Sequence, residues 1–107
     1  MLQAFIKNDK IVIKINVKSI DVFTSFELAK FLFDLPIDEN ERVVIDMEHV
    51  KDIDSSGLGQ LIKYYRHLKK GNNSLALANC SVKVDYVLNA TNINTMIPVC
   101  SSVDDVK

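Results

Sequence analysis

The sequence predicts a single α/β domain with a largely parallel β-sheet, and three observations carry that prediction. Short β-branched runs alternate with stretches of helical periodicity, the pattern of strands linked by helices. Arg42-Val43-Val44-Ile45-Asp46-Met47 is a short, nearly unbroken apolar run, as expected of a strand covered on both faces. The chain is 107 residues long, near the commonest domain size and large enough for one core. Residues 1–107 are therefore read as one domain, with no repeat, linker or low-complexity segment.

Taken in order, Leu2 to Lys7 and Ile11 to Ile15 flank Asn8-Asp9, which predicts an antiparallel hairpin. A first helix follows, capped by Thr24 or Ser25. Glu27 lies at capping-box spacing from Thr24, and Phe26, Leu28, Ala29, Leu32 and Phe33 are expected on the buried side. Pro36 ends this helix, because proline disfavours helical geometry in the residue before it. Asp38 to Glu41 reads as a solvated loop before the Arg42–Met47 strand.

Leu58, Leu61, Ile62, Tyr65 and Leu68 then form one helical stripe, with Gln60, Lys63, Arg66, His67, Lys69 and Lys70 mostly towards water. Gly71-Asn72-Asn73 stops this second helix, and the basic residues of its last turn suit the helix dipole. Ser74 to Ala78 is a further strand, and Val82 to Leu88 a third helix broken at Asn92 to Asn94. Thr95 to Val99 can form a last short strand, with Pro98 marking its end or an edge position; the tail after Cys100 has room for the beginning of a helical turn but is too short to assign.

Composition narrows the function classes. The chain is 48% hydrophobic and 25% charged, with 13 basic and 14 acidic side chains and a formal charge of −1. That balance creates no general field for nucleic acid or an anionic membrane. No apolar run approaches the roughly 18 residues of a spanning helix. The N-terminus lacks the basic region and cleavage site of a signal peptide, so a cytoplasmic location is expected. Cys80 and Cys100 are too few for a disulfide framework and lack metal-ligand spacing. They read as small, partly buried thiols. With only His49 and His67 beside them, no zinc site or cofactor is expected.

The most informative stretch runs from Val43 to Leu68, where a strand leads through Asp52-Ile53 into Asp54-Ser55-Ser56-Gly57-Leu58-Gly59 and then a helix. Asp54 and Ser55 are both good N-cap residues, able to accept the first unpaired helix N–H groups. Gly57 and Gly59 allow close approach of the sheet or of a partner's backbone. Ser55 is expected at the carboxyl edge of the sheet, where open α/β domains present their sites. Read from the residues alone, this is a well-capped helix start. A dinucleotide loop would need a third glycine and a phosphate loop its lysine; both are missing. A nucleophile elbow would need Gly-x-Ser-x-Gly and a histidine base, for which neither His49 nor His67 has a visible claim.

Val43-Val44-Ile45-Asp46-Met47, then Val50-Lys51-Asp52-Ile53-Asp54-Ser55-Ser56-Gly57-Leu58-Gly59, then a helix, Gly71 and a strand, resembles the bacterial anti-sigma factor antagonists of the STAS superfamily. The resemblance spans the whole chain in element order, and its specific part is the Asp54 to Gly59 block. It implies a STAS-like fold: an N-terminal hairpin leading into a mixed, largely parallel sheet with helices mainly on one face. Asp21 and Thr24, at the start of the first helix, match the family's second patch. The resemblance further implies a non-enzymatic regulator. Ser55 would be the residue phosphorylated by a partner anti-sigma factor that is itself a serine kinase. Asp21, Thr24, Asp54, Ser55, Ser56, Gly57, Leu58 and Gly59 would form the partner-binding site. Unphosphorylated Ser55 would mark the state that sequesters the anti-sigma factor and frees a sigma factor, and a phosphatase would reset the switch.

Elementary electrostatics makes such a switch workable. A phosphoserine carries about −1.5 to −2 charges. A helix start tolerates that charge, while Asp52, Asp54 and a nearby Asp21 would make it repulsive to a partner shaped around a hydroxyl. Ser56, one residue further in, is expected to be a cap or spacer. The chain departs from the family in the Val17-Lys18-Ser19-Ile20 stretch, where a glycine often stands, and in the polar Asn89-Ala90-Thr91-Asn92-Ile93-Asn94 segment. Lys18 and Lys51 add positive charge near the partner-facing end. These departures leave the partner's identity open.

Elsewhere, Tyr65 lies on the apolar stripe and is expected in the core, while the adjacent Tyr64 points to a different helix face, with a partner surface as its minority alternative. Phe23 and Phe26 are read as core residues, with interface contact as the alternative. Two other functions compete with the phospho-switch: a constitutive STAS scaffold or accessory subunit of a transporter or lipid-trafficking complex, and an independent nucleotide-binding protein or small hydrolase.

Overall fold

A computed structural model describes residues 2–106. Strands β1 (Leu2–Lys7) and β2 (Lys10–Ile15) form the expected hairpin. Asn8 and Asp9 both take positive φ, 51° and 62°, the paired left-handed geometry whose twist suits a two-residue hairpin. The chain continues through β3 (Ser19–Ile20), α1 (Val22–Asp34), β4 (Arg42–Asp46), β5 (Asp52–Ile53), α2 (Ser55–Lys70), β6 (Ser74–Ala78), α3 (Val82–Ala90) and β7 (Val99–Cys100). The main sheet has the order β1-β2-β4-β6-β7, and every pairing except β1–β2 is parallel. A separate two-stranded parallel ribbon joins β3 to β5.

Strand register explains the apolar run in β4. Ile13, Ile45 and Leu77 are partners that point to one face, where Leu28, Leu32, Leu61, Leu68, Val84 and Leu88 of the three helices complete the main core. The alternate residues Val12, Val44 and Ala76 point to the other face, which Val103 and Val106 of the C-terminal segment cover. There Lys10 buries its stem while its Nζ donates to the Val103 carbonyl at 2.8 Å. Helices cover one face and a short irregular segment the other, so β4 needs apolar residues at consecutive positions.

Several element expectations are corrected. Helix α1 is capped by Asp21, three residues before Thr24; the capping box is Asp21 with Thr24, not Thr24 with Glu27. Leu28 and Leu32 are buried as expected, together with Ser25, but Phe26 is 80% exposed. Phe23 is 79% exposed, so neither phenylalanine is a core residue. Phe33 is partly exposed, with its ring 5.7 Å from Tyr64 and 4.9 Å from His67.

On α2 both tyrosines serve the core: Tyr64 is fully buried, while Tyr65 is partly buried and packed against it. Both fit helical spacing from Leu61 and Leu68, and packing against Phe33 of α1 selects Tyr64. Thr95 to Val99 is not a strand. Asn92 adopts left-handed geometry and starts a 3₁₀ turn at Ile93–Thr95, leaving only Val99–Cys100 to pair with β6. Pro98, lacking an N–H, still contributes its carbonyl to the Leu77 amide at 2.9 Å. The tail forms a 3₁₀ turn at Val103–Asp105. Cys80 and Cys100 are free and half-buried, and burial pushes the Cys80 thiol up to about 11.

Candidate functional site

The ribbon β3–β5 brings two helix starts together. Its register pairs Ser19 with Asp52 and Ile20 with Ile53, and the Asp54 amide donates to the Ile20 carbonyl at 3.1 Å. Asp21 and Asp54 therefore leave the ribbon side by side, each as the N-cap of its helix. The expected proximity of Asp21 to the serine block follows from this pairing.

At the start of α2, Asp54 Oδ1 accepts from the Ser56 amide at 2.9 Å, the Gly57 amide at 3.2 Å and the Ser56 hydroxyl. Ser56 is thus part of the cap, as expected, while Ser55 is exposed on the first turn outside it. The Ser56 hydroxyl bond, with the Gly57 and Ser56 amide bonds, holds the Asp54 carboxyl below its usual range. Asp21 is lowered chiefly by the Thr24 amide bond, with further help from the Thr24 hydroxyl and the Phe23 amide, while the Asp54 charge pushes it back up. The Thr24 hydroxyl also receives the Asp21 amide at 2.8 Å and donates to the Ser19 carbonyl at 2.8 Å. Both carboxylates are fixed and ionised beside Ser55.

The two glycines divide. A Cβ on Gly57 would lie 2.7 Å from Ile20 Cγ2, 2.8 Å from Ile53 Cγ1 and 2.9 Å from the Ile20 carbonyl oxygen, so the ribbon excludes any side chain there. A Cβ on Gly59 would meet nothing within 4 Å. Clearance for the sheet is thus the task of Gly57 alone. Leu58 is 8% exposed and belongs to the main core. Of the Asp54 to Gly59 block, Gly57 and Leu58 face inward, which narrows the outward surface to Asp54, Ser55, Ser56 and Gly59.

Asp52 is also different from expectation. Its carboxylate forms an ion pair with Lys83 of α3, so the free negative charge near Ser55 comes from Asp21 and Asp54. Sequence reasoning passed over Lys83; only the fold brings the start of α3 to β5. It gave Phe23 and Phe26 an interface role only as the alternative to the core, and gave none to Val22, Val82 or Tyr86. Val22, Phe23 and Phe26 on α1, and Val82 and Tyr86 on α3, are all exposed. Val82 and Tyr86 stand four residues apart, the spacing of neighbours on one helix face. Lys18 and Lys51 lie together, the Lys51 amide donating to the Lys18 carbonyl at 2.6 Å, and line a cavity of about 330 Å³ with Asn16, Val17 and His49. His67 sits in the α1–α2 seam against Phe33, twelve positions along α2 from Ser55 and so roughly 18 Å away along the axis. No cluster of three or more potential metal ligands occurs among the described residues, and none of their helices is long and apolar enough to cross a membrane.

The STAS domain family model matches residues 4–106. Solved structures share the fold at low identity. An anti-sigma-factor antagonist (STAS) domain protein from Planctomyces limnophilus superposes with a TM-score of 0.87 at 21% identity, covering 97% of this chain and 92% of that one. The anti-sigma factor antagonist SpoIIAA in its unphosphorylated form gives 0.71 at 16% identity, over 99% and 93% of the two chains. A sulfate transporter family protein from Wolinella succinogenes gives 0.70 at 20% identity, over 87% and 77%.

Proposed function

Because the chain belongs to the STAS domain family, we propose that it is an anti-sigma factor antagonist whose binding to an anti-sigma factor is switched by phosphorylation of Ser55. The observation that carries this reading is the placement of Ser55: exposed, on the first turn of α2, outside the Asp54 cap and beside two ionised carboxylates. Ser56, by contrast, has its hydroxyl engaged by Asp54. In the proposed reaction Ser55 Oγ attacks the γ-phosphorus of ATP held by the partner serine kinase. The serine proton passes to a base of the kinase, and ADP leaves. A phosphatase hydrolyses the ester and restores the hydroxyl.

The modified state needs no refolding. Negative charge at a helix start is tolerated by the helix dipole, and the Ser56 and Gly57 amides stay bonded to Asp54, so the domain keeps its shape and changes its charge. The added charge of about −1.5 to −2 falls beside Asp21 and Asp54 and opposes a partner that packs there. Asp21, Thr24, Asp54, Ser55, Ser56 and Gly59 supply the outward surface, while Gly57 and Leu58 hold the turn in place. Such a regulator acts in the cytoplasm, where sigma factors and their kinases meet, and performs no catalysis itself.

Incubation of the protein with its anti-sigma kinase and ATP should add one phosphate, located on Ser55 by mass spectrometry. Calorimetry should then find that Ser55→Ala keeps partner affinity and Ser55→Asp loses it. Modification only at other residues, or equal affinity of the two variants, would refute the reading. The likeness to a sulfate transporter family protein supports a second reading, a constitutive scaffold in which Ser55 is only a helix-start residue. Recovery of transporter subunits and no kinase in a pull-down would favour it.

A further inference from the structure

Helix α2 contains a glycine that its own fold does not require. Gly59 has open space where a Cβ would sit, and no glycine of the described chain adopts positive φ. Inside a helix, glycine lowers stability relative to alanine. Gly59 therefore leaves a bare stretch of helix backbone at the surface with no internal reason for it. Its position follows from helical spacing: Ser55, Gly59, Ile62 and Lys63 fall at offsets of four, seven and eight, along one stripe.

Beside that stripe runs a groove of about 560 Å³ between the two helices, lined by Phe26, Ala29 and Lys30 of α1 and by Gln60 and Lys63 of α2. It is apolar at Phe26 and Ala29 and cationic at Lys30 and Lys63. Neither lysine takes part in an ion pair among the described residues. Helix α2 as a whole carries Lys63, Arg66, Lys69 and Lys70 and no acidic side chain, in a chain of net charge −1. Positive charge is thus concentrated on one face of one helix.

We infer that this groove seats an acidic amphipathic helix of a partner protein. The partner helix crosses α2 closely at Gly59, rests an apolar side chain on Phe26 and Ala29, and sets carboxylates against Lys30 and Lys63. The inference rests on the partner-switching reading and states what Ser55 would switch. The stripe ends at Ser55, so a phosphate there meets an occupant that is itself acidic.

The test is a titration of the ¹⁵N-labelled full chain with a synthetic amphipathic helical peptide bearing leucine on one face and glutamate flanking it, and with its counterpart carrying lysine for glutamate. The acidic peptide should shift the amides of Phe26, Ala29, Lys30, Gly59, Gln60 and Lys63, and the basic peptide should not. Gly59→Leu and Lys63→Glu should each weaken binding at least tenfold. Gly59→Ala should raise the melting temperature while weakening binding, a pairing of effects that a purely structural glycine does not produce. No shift with the acidic peptide, equal response to both peptides, or unchanged affinity in Gly59→Leu overturns the inference. Kinase labelling of Ser55 without groove binding removes only this inference; groove binding without any Ser55 labelling removes only the phospho-switch.

Discussion

Helices α1 and α2 leave the same small ribbon side by side, each capped by an aspartate at the same register, yet they meet the solvent differently. At the start of α1, Asp21 and Thr24 satisfy each other reciprocally, and the exposed positions are filled by Val22, Phe23 and Phe26. At the start of α2, Asp54 is engaged by Ser56 and Gly57, Ser55 is exposed, and the half-buried Gly59 has open space in place of a side chain. One start offers apolar area and the other a modifiable hydroxyl beside bare backbone. On the proposed reading, a partner that covers both would gain adhesion from the first and be controlled at the second. The difference also assigns the constraint: the first start is tied to the ribbon by the Thr24 hydroxyl on the Ser19 carbonyl, the second by the close approach of Gly57 to Ile20 and Ile53.

The largest effect should come from filling the wedge. Gly57→Ala places a Cβ under 3 Å from Ile20 and Ile53, and overpacking of this kind costs about 1–3 kcal/mol; urea denaturation would measure it. Unchanged stability would mean that the ribbon yields and the two starts are not rigidly joined. Gly59→Ala, two residues on, should move stability the other way by about 1 kcal/mol, read from the same denaturation curves.

Next come the caps. Both carboxyls lie below the usual 3.8 in the folded state, so each contributes stability that is present above about pH 4 and is lost as pH falls through its folded value. Asp21→Asn and Asp54→Asn should each flatten the acid limb of stability against pH. The Asp54 charge pushes Asp21 upward, so in Asp54→Asn the Asp21 carboxyl should titrate lower still, followed by NMR. No movement of Asp21 would show that the two starts are electrically independent. The smallest effect on the fold should be Phe23→Ser with Phe26→Ser, each within about 0.5 kcal/mol by thermal denaturation, because both rings already face water.

The two starts were also unequally legible in the sequence. Asp54 to Gly59 concentrates capping residues and glycines in six positions, which is enough to mark the turn into α2. The start of α1 was misplaced because Asp21, Thr24 and Ser25 all have capping chemistry; only the pairing of β3 with β5 decides among them. The same limit explains the tyrosines, since a helical period admits both Tyr64 and Tyr65 until Phe33 is in place. The hairpin was legible because Asn8-Asp9 suits left-handed geometry. What stayed hidden was non-local: the Asp52–Lys83 ion pair, the exposure of Phe23, and the C-terminal cover that lets β4 be apolar on both sides. The whole-chain likeness placed the helices on one face, which periodicity alone does not specify.

The β3–β5 ribbon has a kinetic consequence. Its cross-links, from the Lys51 and Asp52 amides to the Lys18 carbonyl and from the Asp54 amide to that of Ile20, hold the two starts in register without help from the main sheet. A surface braced in this way has no loop to close on arrival, so encounter with a partner need not wait for rearrangement. On the proposed reading, control by Ser55 would then fall on departure, as a shorter lifetime of the complex once the serine is modified.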